Sequence, residues 1–329
     1  NAGNNNLDGG AVADMLAGGI GNDTYWVDDA SDIVFEYAGE GIDQVRSGSV
    51  SVVLADHVEN LALLGNASID GTGNALDNVL RGNAGSNRLV GGDGNDSLDG
   101  GGAVADILIG GRGDDVYTVF GATQVIELAG EGVDTVYTPT SYSLTAHVDN
   151  LTLTGDATNH IGGTGNELDN VLVGNAANNT LTGSGGNDTL DGRGGADMLI
   201  GGTGDDRYLF GAGHGSDTVR ENDATAGNVD AAEFLAGIAA DQIWMRHVGN
   251  HLEASVIGTA DKLTLENWYL GDHYRVEQFR TSDGSLLLDS QVENLVQAMA
   301  AFAPPSAGQT TLPSAYHEVL APVIAANWQ

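Results

Sequence analysis

Three nine-residue units follow one another without a gap at residues 183–209: GSGGNDTLD, GRGGADMLI and GGTGDDRYL. Each has Gly at its first and fourth positions, Asp at its sixth and a large apolar residue at its eighth. Glycine supplies positive φ and leaves carbonyl oxygens uncovered, and a carboxylate is a hard ligand for a hard cation. The chemistry these residues offer together is therefore coordination of a divalent ion by oxygen. The candidate ligating positions here are Gly183, Gly186, Asp188, Gly192, Gly195, Asp197, Gly201, Gly204 and Asp206. The same spacing recurs upstream at Gly91, Gly94 and Asp96, at Gly110, Gly113 and Asp115, and at Gly18 and Asp23. At Asn5, Asn78, Asn87, Asn170 and Asn179 the sixth position carries an amide, which brings oxygen without charge and predicts a weaker site. Asp14 and Asp106 are weaker candidates again, because Val12 and Val104 stand where the pattern wants Gly and a β-branched residue resists positive φ.

A unit of this kind positions its Asp by following a glycine turn with a very short strand whose eighth residue points into a thin core. The pattern G-G-x-G-x-D-x-U-x is the signature of a calcium-loaded parallel β-roll. With two units per coil, turns eighteen residues apart become stacked neighbours, which pairs Asp188 with Asp206, Asn179 with Asp197, Asn170 with Asp188, Asp96 with Asp115 and Asn87 with Asp106. The inward positions are Leu80, Leu89, Leu98, Leu108 and Tyr117 in one array, and Leu172, Leu181, Leu190, Leu199 and Tyr208 in the next. Each array ends on Tyr, as the first does at Tyr25, which suggests a roll that widens there. A longer period of about ninety residues overlies the short one. AGEGID at 38–43 matches AGEGVD at 129–134, HVENLALLG at 57–65 matches HVDNLTLTG at 147–155, and GTGNALDNVLRGN at 71–83 matches GTGNELDNVLVGN at 163–175. The segments between arrays carry β-branched clusters and no helical periodicity, and read as further strands. One continuous solenoid is expected.

At this point the chain resembles the RTX (repeats-in-toxin) family of secreted bacterial proteins. Residues 241–288, with Trp244, Trp268, Tyr269, Tyr274 and Phe279, are similar to the haemolysin-type calcium-binding related region that follows such arrays. The resemblance implies several bound Ca2+ ions, an extracellular location, and export by a type I secretion apparatus whose signal lies in roughly the last sixty residues. Residues 1–8 fit positions two to nine of the unit, so the chain reads as the C-terminal part of something longer.

Composition agrees with a metal-stapled solenoid. The 329 residues include 46 acidic and 11 basic side chains, giving a formal charge of −35, with 50 Gly, 5 Pro and no Cys. So little aromatic content excludes a thick globular core, and periodic Gly and Asp argue against plain disorder. Disulfides are impossible, leaving metal as the staple. Nucleic acid is excluded by charge, and no run of eighteen apolar residues spans a membrane.

Enzymatic motifs are missing: there is no G-x-S-x-G and no thiol. His247 and His251 flank Val248-Gly249-Asn250, a turn rather than the helix a zinc pair needs. His57 and His147 recur with the module as packing or hydrogen-bonding residues. Ser290 to Glu293 reads as a capping box, opening a helix whose apolar face is Val292, Leu295, Val296, Met299 and Ala300; a second is expected from Ser314, broken at Pro322.

The expected fold is thus all-β: a right-handed parallel β-roll or β-solenoid with calcium in its turns, a small β cap on its open end and a C-terminal helix. Its expected divisions are 1–72, 73–162, 163–229, 230–289 and 290–329. The expected role is a non-enzymatic module that folds on binding calcium outside the cell and supports secretion of a larger protein. An adhesin or polysaccharide-binding module, or an accessory domain of a secreted lipase or protease, are the alternatives.

Overall fold

The computed structural model describes residues 2–102 and 105–329, so Val104 lies outside the described residues. The fold is a parallel β-solenoid whose chain divides into two compact units, one holding residues up to Thr140 with Thr145–Asn150, the other Ser141–Leu144 with Leu151–Gln329.

In the first unit the chain alternates between one long sheet and, on the other side, two shorter ones, the first of which is the parallel pair Met15–Leu16 and Ile33–Val34. The long sheet is built from Asn6–Asp8, Thr24–Trp26, Gln44–Ser47, Asn60–Leu63, Val79–Arg81, Ser97–Asp99, Val116–Thr118 and Thr135–Thr138, each pairing in parallel with the next. The larger of the two shorter sheets takes Val52–Val53, Gly71–Thr72, Arg88–Asp93, Ile107–Arg112 and Gln124–Ile126, again all parallel. Identical positions stack in register: Leu98 lies between Leu80 and Tyr117, and Leu89 pairs with Leu108. All five eighth-position residues of this array are fully buried. Each such Leu contributes about 2 kcal/mol of burial, and Val119, Val125 and Val136 in the coils that follow are buried beside them.

The segments between arrays form coils of the same solenoid, with steps of 20 residues from Asp23 to Asp43 and 16 from Asp43 to Glu59. His57 and His147 have a backbone role: both sit in the left-handed region, at φ 67° and 70°, just before the fully buried Val58 and Val148.

The second unit is a roll of the same kind, with Gly162–Thr164, Thr180–Gly185, Met198–Thr203 and Ser216–Val219 on one side. On the other run Val171–Val173, Thr189–Asp191, Arg207–Phe210 and Ala231–Phe234. Leu172, Leu181, Leu190, Leu199 and Tyr208 are fully buried. The sequence suggests antiparallel strands laid on the open end; instead the cap is spliced into both sheets. Lys262–Leu265 pairs in parallel with Ser216–Val219, and only then do His251–Val256 and Ile243–Val248 turn antiparallel. Gln278–Thr281 likewise extends the other sheet before Leu286–Leu288 reverses. Splicing satisfies the last coil's backbone groups by direct pairing. His247 pairs with Leu252 and His251 with Val248 across the hairpin turn at Gly249–Asn250, so the two rings lie on opposite faces of the hairpin; the His247 ring stacks on Tyr269, and His251 Nδ1 accepts the Asn267 N–H at 3.0 Å.

Helix α1 spans Asp289–Met299 and α2 spans Ser314–Asn327. The sequence pattern placed the cap of α1 at Ser290; the helix starts earlier, with Gln291 Oε1 accepting the Leu288 N–H at 3.2 Å. Val292, Leu295, Val296 and Met299 are buried as expected, whereas Ala300 is exposed. Pro322 does not end α2, because burial of Leu320, Ile324 and Trp328 on either side outweighs the helical hydrogen bond a proline forfeits. No helix among the described residues is long and apolar enough to cross a membrane.

Candidate metal centres

Along each edge of the roll the sixth-position side chains form a ladder. Asp96 Oδ1 accepts the Asn78 N–H at 2.7 Å, Asp115 Oδ1 that of Asp96 at 2.7 Å, and Asp134 Oδ1 that of Asp115 at 2.9 Å. In the second unit Asn170, Asp188 and Asp206 donate in the same way to Asp188, Asp206 and Asp230 at 2.8 Å each. On the opposite edges Asn87 donates to Asp106 at 2.9 Å, Asn179 to Asp197 at 2.7 Å and Asp197 to Asp217 at 2.9 Å. Asn5, half-buried, donates its N–H to Asp23 at 2.5 Å. Every stacked pair that the spacing implies is therefore brought together.

Where one carboxylate oxygen is used in this ladder, the other is in most cases stranded. Oδ2 of Asp14, Asp23, Asp43, Asp96, Asp115, Asp188, Asp197, Asp206 and Asp217 is buried without a hydrogen-bond partner. None of the ion pairs among the described residues involves these aspartates; Arg81, Arg207, Arg220, Arg246, Arg275, Arg280 and Lys262 pair with other carboxylates. Burial consequently pushes the carboxyls up, to about 7 at Asp96, Asp188 and Asp206, about 6 at Asp115 and Asp197, and about 8 at Asp217. An anion held dry with half its valence unsatisfied is stable only beside a cation.

The glycines leave the room. A Cβ on Gly183 would overlap Asp188 Oδ2 and the Gly201 carbonyl oxygen, and one on Gly91 would overlap Asp96 Oδ2. Gly18, Gly110, Gly192 and Gly201 face Asp23, Asp115, Asp197 and Asp206 in the same manner. At the fourth position Gly94, Gly113, Gly186, Gly195 and Gly204 are all left-handed; Gly113, at φ 129°, also lies against the Gly94 carbonyl. Carboxylates and bare carbonyls converging where no side chain fits are the donor set Ca2+ takes. Asp106 is ligand-like in burial, yet its Oδ2 is met by the Thr123 hydroxyl at 3.4 Å. Asp14 keeps a stranded Oδ2, but its N–H reaches Asp32 rather than a sixth-position residue.

The Asn corners are built differently. Asn179 Oδ1 accepts the N–H of Asn175 in its own turn at 2.8 Å, and its amide donates to the Ile161 carbonyl at 2.9 Å. Asn87 does the same with Asn83 and Ile69, and Asn78 with Asn74 and the Glu59 carbonyl. Asn170 Oδ1 accepts from Asn166 at 2.7 Å. A second Asn in each turn adds to this: Asn74 donates to the Ala55 and Val58 carbonyls, Asn83 to those of Leu64 and Ala67. At Asn78, Asn87 and Asn179 the amide NH2 thus donates to backbone carbonyls, while the amide oxygen accepts one backbone N–H and keeps a second lone pair.

Spacing of the nonamers missed a third kind of corner. At the end of each array one carboxylate oxygen from each of three residues lies within 4.8 Å of the others: Asp23, Glu36 and Asp43; Asp115, Glu127 and Asp134; Asp206, Glu221 and Asp230. The array-ending tyrosine explains itself here. Tyr25, Tyr117 and Tyr208 are fully buried and donate their hydroxyls to Glu36, Glu127 and Glu221. The Tyr25 and Tyr208 hydroxyls also accept the N–H of Gly18 at 2.8 Å and of Gly201 at 2.9 Å. Burial, then neighbouring carboxylates, raise Glu36 to about 7, Glu127 to about 8 and Glu221 to about 10. The repeated E-x-A-G-E-G-x-D at 36–43 and 127–134 was the signal available in the sequence.

A parallel solenoid with oxygen-lined glycine corners defines a class, the calcium-binding β-rolls. The family model for the RTX calcium-binding nonapeptide repeat matches at residues 1–34, 72–104, 101–116, 164–199 and 185–217, and that for the haemolysin-type calcium binding protein related domain matches at 251–291. The chain is an RTX-repeat protein. It is similar to the iron-regulated protein FrpA of Neisseria meningitidis serogroup C, 31% identical over 88 residues that make up 26% of this chain and 8% of that protein.

Proposed function

We propose that this chain is a calcium-triggered folding module of a larger secreted protein that leaves the cell by a type I secretion apparatus. The observation that carries it is the set of buried Asp Oδ2 atoms with neither a hydrogen-bond donor nor a cationic side chain beside them. Ions would be held by Asp23, Asp96, Asp115, Asp188, Asp197 and Asp206 with the carbonyls of the glycine turns, and each would supply the positive charge that lets adjacent coils close. Extracellular calcium modules bind with constants of about 0.1–1 mM, far above free cytosolic calcium. Inside the cell the aspartates repel and the chain stays extended enough to be threaded outward. Outside, at millimolar calcium and a constant of about 0.1 mM, each site adds roughly 1.4 kcal/mol, so binding and folding become one event. Equilibrium dialysis with 45Ca alongside far-ultraviolet circular dichroism tests this: several ions should bind as β signal appears. A chain that takes up no calcium, or takes it up with no gain of structure, overturns it.

A further inference from the structure

The three carboxylate trios differ from ordinary corners in having a third anion, and that anion arrives from outside the repeat. Glu36, Glu127 and Glu221 are each at least nine-tenths buried, with Oε2 unpartnered. The tyrosine hydroxyl takes the other oxygen, so the phenol fixes which oxygen of the glutamate is left over. The two aspartates of each trio have their Oδ1 atoms committed to the backbone ladder, at 2.5 and 2.7 Å in the first, 2.7 and 2.9 Å in the second, and 2.8 Å for both in the third. Five of the six aspartate and glutamate oxygens left over in the first two trios are buried without any donor. A Cβ on Gly18, Gly110 or Gly201 would fall on the aspartate Oδ2 and on the tyrosine hydroxyl, so the space beside the trio is kept clear by glycine.

We propose that each trio is a dedicated calcium site of a second class, held by Asp23, Glu36 and Asp43, by Asp115, Glu127 and Asp134, and by Asp206, Glu221 and Asp230, with Tyr25, Tyr117 and Tyr208 as positioning residues. Three carboxylates and no amide make a higher negative charge than the ordinary corner presents, and ligand charge is what tunes calcium affinity. A group that locks a ligating side chain through its second atom sharpens the site without touching the ion. These sites fill at lower calcium than the two-carboxylate corners and clamp the last coil of each array to the segment that follows it. This extends the calcium reading above, and it can fail while that reading stands.

The test uses the whole chain and terbium, an oxygen-seeking ion that emits when a nearby phenol is excited. Tyrosine-excited terbium emission should appear in the first part of the titration, and each of Tyr25→Phe, Tyr117→Phe and Tyr208→Phe should remove about a third of that early emission. Native mass spectrometry in calcium should find one ion fewer in Glu36→Gln, and three fewer in the triple Glu36→Gln, Glu127→Gln, Glu221→Gln variant. Unchanged ion counts in folded glutamine variants overturn the proposal and leave the trios as proton-sharing clusters. Should the triple variant fail to fold, the terbium series on the tyrosine variants decides alone: early emission indifferent to all three phenols overturns it.

Discussion

Protons and calcium should be interchangeable in holding the roll together, and the structure sets the pH at which one takes over. The carboxyls of Asp96, Asp188 and Asp206 rise from 3.8 to about 7 and that of Asp217 to about 8, in each case chiefly through burial. A carboxyl raised in the folded state binds its proton more tightly there than in the unfolded chain, so its contribution is complete below about pH 4 and is lost as pH climbs through 7. Three pH units correspond to about 4 kcal/mol per group, and halving for solvent screening leaves about 2. Four such groups withdraw about 8 kcal/mol, as much as the whole stability of a typical domain, about 5–15. Without calcium the roll is therefore expected to be unfolded at pH 7.5 and to regain β structure on acidification to pH 5. With millimolar calcium it is folded at pH 7.5, and the ion's effect shrinks toward pH 5 as protons compete for the same oxygens. Far-ultraviolet circular dichroism in calcium-stripped buffer, read against a calcium-loaded series, checks both limbs. A stripped spectrum at pH 7.5 equal to the loaded one, or a β signal that falls on acidification, would refute the reasoning.

Substitutions separate the corner types. Gly201→Ala puts a methyl onto Asp206 Oδ2 and the Tyr208 hydroxyl, so the calcium midpoint for folding should rise at least tenfold; Gly48→Ala, whose nearest neighbours are Leu64 atoms at 3.8 Å, should shift it by less than about 0.5 kcal/mol equivalent. Asn179→Leu strands the Ile161 carbonyl and the Asn175 N–H, and urea titration in saturating calcium should show about 2–3 kcal/mol lost, a loss that extra calcium does not recover. Leu190→Ala, at a fully buried rung between Leu172 and Tyr208, should cost about 2–5 kcal/mol in the same assay.

What the sequence made legible is what repeats locally. The inward residues from Leu80 to Tyr208 could be picked out because an eighteen-residue coil returns each eighth position to the same rung, and the aspartate ladder follows from the same arithmetic. The trios were hidden because Glu36 joins Asp23 through closure between coils, outside any nonamer. The Asn corners were legible as positions but not as chemistry. An amide can ligate an ion or replace one, and the choice depends on whether carbonyls such as that of Ile161 face its NH2 group. The start of α1 shifted for a similar reason: Gln291, not Ser290, reaches the free N–H at the helix entrance.

The order of corner types along an array has a physical consequence. In the middle array the Asn turns at 73–87 precede the Asp turns at 91–115, and in the last array those at 165–179 precede those at 183–206. Amides in the first coils hydrogen-bond backbone carbonyls directly, and once folded those coils present paired strand edges and stacked Leu side chains to the chain that follows. A coil formed on an existing edge has less conformational entropy left to lose than one nucleated alone. Calcium at the Asp turns balances the charge of the coils that grow from that edge, and the edge sets their register. The dense negative charge makes the later coils conditional on the ion, while the amide rungs determine where they form.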